Sequence, residues 1–279
     1  MGNIFKIILQ PPIMPKVIAI ICDCDNTLTP DTTSLLLESN GIDTKQFWPV
    51  IENLVREGWD PPIAWMTEIC NLIQDGKISQ DTNQKLAEFG KTIETFPGAV
   101  DFIPELNSML QEKGLDTLVE GYVVSSGFED LMKGTRLSET FTDIFGGRFY
   151  EKDGKITGIK SVVTFTEKTK FIFAVNKGIT SKIRTEPYRV NELIVSEKQV
   201  IPFEKMIYLG DGPSDIPCFS TIKKQGGACI GIDVGKEWHK EFEKQLRERE
   251  VTSFKPDYTK ESDLYNKLKF LITEMANGY

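Results

Sequence analysis

The sequence predicts an α/β protein: a doubly wound, Rossmann-like parallel sheet with an all-helical domain inserted after its first strand. Three observations carry this expectation. Val17–Cys22 is an unbroken apolar run rich in Val and Ile, the pattern of a central strand buried on both faces. Further short apolar runs at Tyr122–Val124, Met206–Leu209 and Ala228–Ile232 alternate with helical patterns, which implies parallel strands joined by crossover helices. Between them, residues 31–96 carry only helical signals.

Those helical signals have clear ends. Thr33–Asn40 closes on Gly41, Gln46–Arg56 on Gly58, Pro62–Gln74 near Gly76 and Ser79–Phe89 on Gly90. Proline at the start and glycine past the end is the usual asymmetry of helix boundaries. Pro97-Gly98 marks the return, and the chain divides into a core of residues 1–30 and 97–279 and a helical domain of residues 31–96. Phe102, Leu106 and Leu110 recur at helical spacing in a segment closing on Gly114. Lys152-Asp153-Gly154-Lys155 reads as a hairpin turn between short strands. A helix follows from Thr166, with Phe171, Ile172 and Val175 on its packed side, and stops at Gly178. Ile179–Phe203 is a polar connection with a weak helical segment and no assigned role. Beyond Ile232, taken as the last strand, come a charged helix near Trp238 and a terminal helix, Ser262–Met275.

Composition narrows the function classes. At 279 residues the chain can bury a sizeable core, and a net charge of −8 argues against nucleic acid or an anionic membrane as an obligate partner. No apolar run reaches the length of a bilayer span, and Met1–Gln10 is too weak for a secretory signal. Lys6 stands where a myristoylation start needs Ser or Thr. The protein is expected in the cytoplasm. Its five cysteines include no Cys-x-x-Cys pair and read as reduced core thiols. His239 is the single histidine, so Ser-His-Asp, Cys-His and His-Glu-x-x-His chemistries have little support.

Polar groups gather where strands end. Asp23 and Asp25 follow the first strand, Ser125 the second, and Asp211 with Asp215 the run Met206–Leu209. Lys168 opens the helix between the last two. In an open α/β sheet such tips converge at the carboxyl edge, where ligands bind. Carboxylates grouped there repel one another, so a bound cation is expected. Ser126 and Gly127 are read as a helix start, with backbone N–H groups free for a phosphate oxygen, and Lys168 as a point charge for the same anion. Lys170 competes with Lys168, and Ser126 with Ser125. Cys24 lies between two carboxylates, which disfavour its thiolate.

At these residues the chain resembles the haloacid dehalogenase superfamily of phosphatases. Asp23-Cys24-Asp25-Asn26-Thr27 resembles its first motif, Asp-x-Asp-x-Thr, and Val124-Ser125-Ser126-Gly127-Phe128 its second. Lys168 resembles the third, and Gly210-Asp211-Gly212-Pro213-Ser214-Asp215 the fourth. The inserted helices are similar to the small cap of the phosphoserine phosphatase branch. The resemblance implies a phosphomonoesterase of small phosphorylated metabolites that works through an aspartyl-phosphate. Asp23 would be the nucleophile and Asp25 the acid and base. Mg²⁺ would be held by Asp23, the backbone carbonyl of Asp25 and Asp211. Ser125, Ser126, Gly127 and Lys168 would hold the phosphate, with Asp215 and Thr27 supporting them. Phosphotransfer by a mutase is an alternative within the same fold, and a catalytically idle binding protein is one outside catalysis. The oligomeric state is left open.

The chain departs from the phosphoserine phosphatase pattern in the cap. Around Pro30-Asp31-Thr32-Thr33 there is no glutamate to read an amino group, and Arg56 is the nearest candidate for a substrate carboxylate. Trp48, Trp59 and Trp65 lie there instead. Trp59 and Trp65, flanking Asp60-Pro61-Pro62, are the expected walls of the leaving-group pocket. Phosphoserine is therefore not the expected preference; an aromatic or choline-like ester is.

Overall fold

The computed structural model describes residues 16–195, 198–235 and 239–278. The N-terminal segment read for targeting and Trp238 lie outside the described residues, as do the surroundings of the His239 side chain. The first strand, β1 (Lys16–Cys22), is central, as its double-sided apolar run requires. Ile18, Ile20 and Cys22 face one hydrophobic core, and Ala19 and Ile21 face the other.

Four helices follow: α1 (Thr32–Ser39), α2 (Thr44–Arg56), α3 (Pro61–Gln74) and α4 (Asn83–Gly90). Asp31, Asp43 and Thr82 cap α1, α2 and α4 by accepting backbone N–H groups. The Thr82 cap explains why α4 starts later than the sequence pattern at Ser79 implied. Gly41, Gly58 and Gly76 adopt the left-handed conformation expected past a helix end. Gly90 has another reason to be glycine. It lies in the crossing of α4 with α6 (Glu129–Gly134), where a Cβ on Gly90 would stand 2.1 Å from the Leu131 carbonyl oxygen. A Cβ on Gly134 would stand 1.9 Å from the Ala87 carbonyl oxygen. Gly134→Ala is therefore expected to cost about 1–3 kcal/mol, read as a lower urea midpoint. Gly158→Ala, in open space, should leave the midpoint nearly unchanged.

The helices α1–α4 bury Leu36, Phe47, Met66, Ile69 and Leu86 in a third core. That core continues into Phe128, Leu131, Phe149 and Ile156 of the main body, so the inserted helices rest on it through apolar contact. Helix α5 (Phe102–Glu112) returns the chain to the sheet and leads into β2 (Thr117–Phe128). This strand is longer than the apolar run Tyr122–Val124. It continues through Ser126 and Gly127, with a register shift against the next strand between Val124 and Phe128. The reading of Ser126 and Gly127 as a helix start is thereby corrected. Pairing with the neighbouring strand keeps them extended, and α6 begins only at Glu129.

Strands β3 (Asp143–Lys152) and β4 (Lys155–Ser161) form the expected hairpin, with Asp153 and Gly154 both at positive φ. Then come α7 (Glu167–Asn176), β5 (Met206–Gly210), α8 (Ile216–Lys224), β6 (Ala228–Ile232), α9 (His239–Arg247), β7 (Thr252–Phe254) and α10 (Asp263–Asn277). The sheet order is β4-β3-β2-β1-β5-β6-β7, parallel except for the β3–β4 pair. Ala228–Ile232 is therefore not the last strand; β7 adds an edge of only three residues. In the connection 179–203, Arg184 donates to both carboxylate oxygens of Asp143 and to Glu129, and so ties this segment to β3 and α6.

Candidate active site

Strand register assembles the site. Cys22 pairs with Val123 on one side and Leu209 on the other, so Asp23, Ser125 and Asp211 leave the sheet at nearly one level. The Asp23 N–H donates to the Leu209 carbonyl at 2.9 Å, which extends this pairing one residue past β1. The chain then wraps on itself: the N–H groups of Thr27, Leu28 and Thr29 all point to the Cys24 carbonyl. Asn26 sits at φ 56°, a left-handed turn position that asparagine tolerates well. Thr27 is buried, and its carbonyl accepts the Tyr258 hydroxyl at 2.9 Å.

Lys168 lies wholly buried behind Asp23, with Nζ 2.8 Å from Asp23 Oδ2 and 2.7 Å from Asp215 Oδ1. Burial alone would lower the lysine pKa, but Asp215 and Asp23 outweigh it and hold the ammonium above its ordinary value. Lys170 instead pairs with Glu167 outside the cleft, so Lys168 is the lysine brought to the aspartates. Asp215 also accepts from the Tyr208 hydroxyl at 2.7 Å and the Gly212 N–H at 3.1 Å. Gly210 permits this packing, since a Cβ there would stand 2.4 Å from the Asp215 carboxylate.

Asp23, Asp211 and Asp215 bring carboxylate oxygens within 4.8 Å of one another. The oxygens of Asp215 are engaged by Lys168, Tyr208 and Gly212, whereas Asp211 has no hydrogen bond or ion pair among the described residues. Burial, then Asp23 and Asp215, push the Asp211 carboxyl well above the usual range. Burial raises Asp23 as well, against the opposing pull of Lys168. A buried set of oxygen donors with one acid unpaired fits a hard divalent cation. Asp25 accepts the Thr32 N–H at 2.8 Å, and burial followed by the nearby Asp31 raises its pKa to about 7. Burial and then Asp25 push the Cys24 thiol far up, so it is no nucleophile.

These groups open into a cleft of about 380 Å³. Asp23, Asp25, Asp211, Ser125, Ser126 and Gly127 line its floor, and Asp31, Thr33, Trp48 and Trp65 its cap side. The Gly127 N–H is not free, since it donates to Ser125 Oγ at 3.2 Å, while the Ser126 hydroxyl is buried with no partner. Two expected cap residues are elsewhere. Trp59 is 41% exposed and does not line the cleft, because it precedes the Asp60 start of α3 on the outer surface. Arg56 is exposed and reaches Glu52 and Asn53 on its own helix, as a solvated helix-end cation does. Trp48 lines the cleft instead. The sequence also gave no sign of Tyr208 as a partner of Asp215. Only its place two residues before Gly210, on the same strand face, marks it.

No protein-family profile matches the chain. It is 28% identical over 281 residues to an uncharacterized protein of Borreliella burgdorferi, covering 90% of this chain and 95% of that one. Among solved structures it is similar to a substrate-bound phosphoserine phosphatase complex, at TM-score 0.50 and 21% identity over 91% of this chain and 98% of that one. A cytosolic 5′-nucleotidase IIIB bound to cytidine gives TM-score 0.55 at 13% identity, over 94% and 86% of the two chains. A HAD family hydrolase from Salmonella enterica gives 0.53 at 16%, over 84% and 67%. The chain thus has the fold of the haloacid dehalogenase-like hydrolases, and within that fold it is similar to phosphoserine phosphatase.

Proposed function

We propose that the protein is a Mg²⁺-dependent phosphomonoesterase of small phosphorylated metabolites, acting through a phosphate ester of Asp23. One observation carries this reading: an oriented carboxylate beside a carboxyl whose pKa is raised to about 7, both on the floor of one cleft. The Cys24 N–H at 2.7 Å and Lys168 at 2.8 Å fix the two oxygens of Asp23. An Asp23 oxygen attacks phosphorus and the ester P–O bond breaks, while Asp25 gives its proton to the departing alcohol. Asp25 then takes a proton from the water that attacks phosphorus, which releases inorganic phosphate and restores Asp23. Mg²⁺, held by Asp23, Asp211 and the Asp25 carbonyl, would supply positive charge to the phosphoryl oxygens. Ser125, Ser126 and Lys168 support the equatorial oxygens, and Asp215 and Thr27 hold the frame around them. Residues 31–96 serve as a cap over a core of residues 1–30 and 97–279. The Asp25 acid and the paired Lys168 favour this reading over an idle binding protein.

The test is hydrolysis of p-nitrophenyl phosphate with and without EDTA. Release of nitrophenol that EDTA stops and Mg²⁺ restores is expected; equal turnover after exhaustive chelation contradicts the cation site. A stability experiment reads the same site without turnover. The carboxyls of Asp23 and Asp211 are raised in the folded protein. Their contribution to stability is therefore full below the unfolded value of about 4 and is lost as pH rises through the folded values. Mg²⁺ should thus raise Tm more at pH 8 than at pH 5. An equal rise at both would contradict this assignment.

A further inference from the structure

The cap side of the cleft carries a chemistry that the hydrolytic reading does not use. No Lys, Arg or His among the described residues lines the cleft, and Lys168 is enclosed between Asp23 and Asp215. Four carboxylates, Asp23, Asp25, Asp31 and Asp211, do line it. A leaving group with its own carboxylate or a second phosphate would meet no cation there and would be repelled.

Two indoles form the walls. Trp48 and Trp65 stand with ring centroids 6.3 Å apart and planes at 77°, a corner with two π faces. The Trp48 ring is held in place: its Nε1–H donates to Ser34 Oγ at 3.0 Å, and that hydroxyl donates to Asp31 Oδ2 at 2.7 Å. The Ser34 N–H also donates to Asp31 Oδ1 at 3.1 Å, so the carboxylate that caps α1 also orients the indole. Such a corner attracts a cation that keeps little of its hydration shell, and the nearby carboxylate adds to the attraction. A strongly hydrated or anionic group gains nothing from it.

We propose that this cleft selects phosphate monoesters of alcohols bearing a quaternary ammonium and no second anion, with Trp48 and Trp65 as the walls that hold the cation. Ser34 is a positioning residue, acting through Trp48. The inference rests on the hydrolytic reading for its catalytic half only; recognition of the ammonium is separable from it.

The experiment compares choline phosphate with its uncharged isostere 3,3-dimethylbutyl phosphate, with phosphoserine, glycerol phosphate and a nucleoside monophosphate. Choline phosphate is expected to exceed the isostere about ten-fold or more in kcat/KM, the scale of a desolvated cation–π contact. Trp48→Leu should remove that advantage while glycerol phosphate turnover persists. Ser34→Ala should raise KM for choline phosphate with little change in kcat. Binding of choline phosphate to Asp23→Asn protein, followed by tryptophan fluorescence, gives the same discrimination without turnover. The inference is overturned if the isostere matches choline phosphate in both assays, or if phosphoserine or the nucleotide is preferred. If no ester is hydrolysed yet choline phosphate still binds better than the isostere, the hydrolytic reading fails and the recognition stands.

Discussion

Asp23→Asn is expected to lower kcat for every ester by on the order of 10⁴-fold or more, because it removes the nucleophile rather than a binding contact. The neutral amide keeps the volume of the carboxylate and can still accept from the Cys24 N–H and Lys168. Fold and Tm should therefore change little, and burst or single-turnover experiments should show no phosphorylated protein. Asp25→Asn should be impaired for a different reason. It cannot protonate the departing alcohol or activate water, so with an activated ester such as p-nitrophenyl phosphate it should accumulate phosphorylated Asp23. A fully active Asp23→Asn protein would end this mechanism.

Lys168→Met should be the most destabilising single change in the site. Lys168 is wholly buried and joins Asp23 to Asp215, so its removal leaves two buried carboxylates without their cation. Breaking a buried pair from one side costs about 3–5 kcal/mol, a large share of the stability of a typical domain. Asp215 keeps the Tyr208 hydroxyl and the Gly212 N–H, which moderates the loss but does not replace the charge. Urea denaturation should show the loss without metal, and Mg²⁺ should restore part of it by neutralising the same cluster. Activity should fall as well, because Asp23 and the phosphoryl oxygens lose the same ammonium. A wild-type midpoint in metal-free buffer would contradict this account of the buried triad.

Much of this architecture was legible in the sequence because it depends on period and order. An apolar run buried on both faces has to be central, and Asp23 and Asp25 at its end had to open on the carboxyl edge. Where tertiary context decides, the sequence was silent. Ser126 and Gly127 look like a helix entry, but pairing with β3 keeps them in the strand. β7 has three residues and no apolar run, so only its neighbour β6 makes it a strand. Gly90 looks like a helix stop and is a crossing point, visible only once α6 is packed against it. Trp48 and Trp59 have the same residue type in the same domain; which of them faces the core body depends on helix rotation, and that is set by packing.

The central claim is covalent: the phosphoryl group passes through Asp23. The direct measurement mixes the protein with an excess of hydrolysable ester, quenches in acid, and reduces the protein with borohydride before peptide sequencing. An acyl phosphate on Asp23 is reduced to homoserine, so the account predicts homoserine at position 23, dependent on substrate and absent in Asp23→Asn. Steady turnover of the ester with unmodified Asp23, or with the label on another residue, would contradict it.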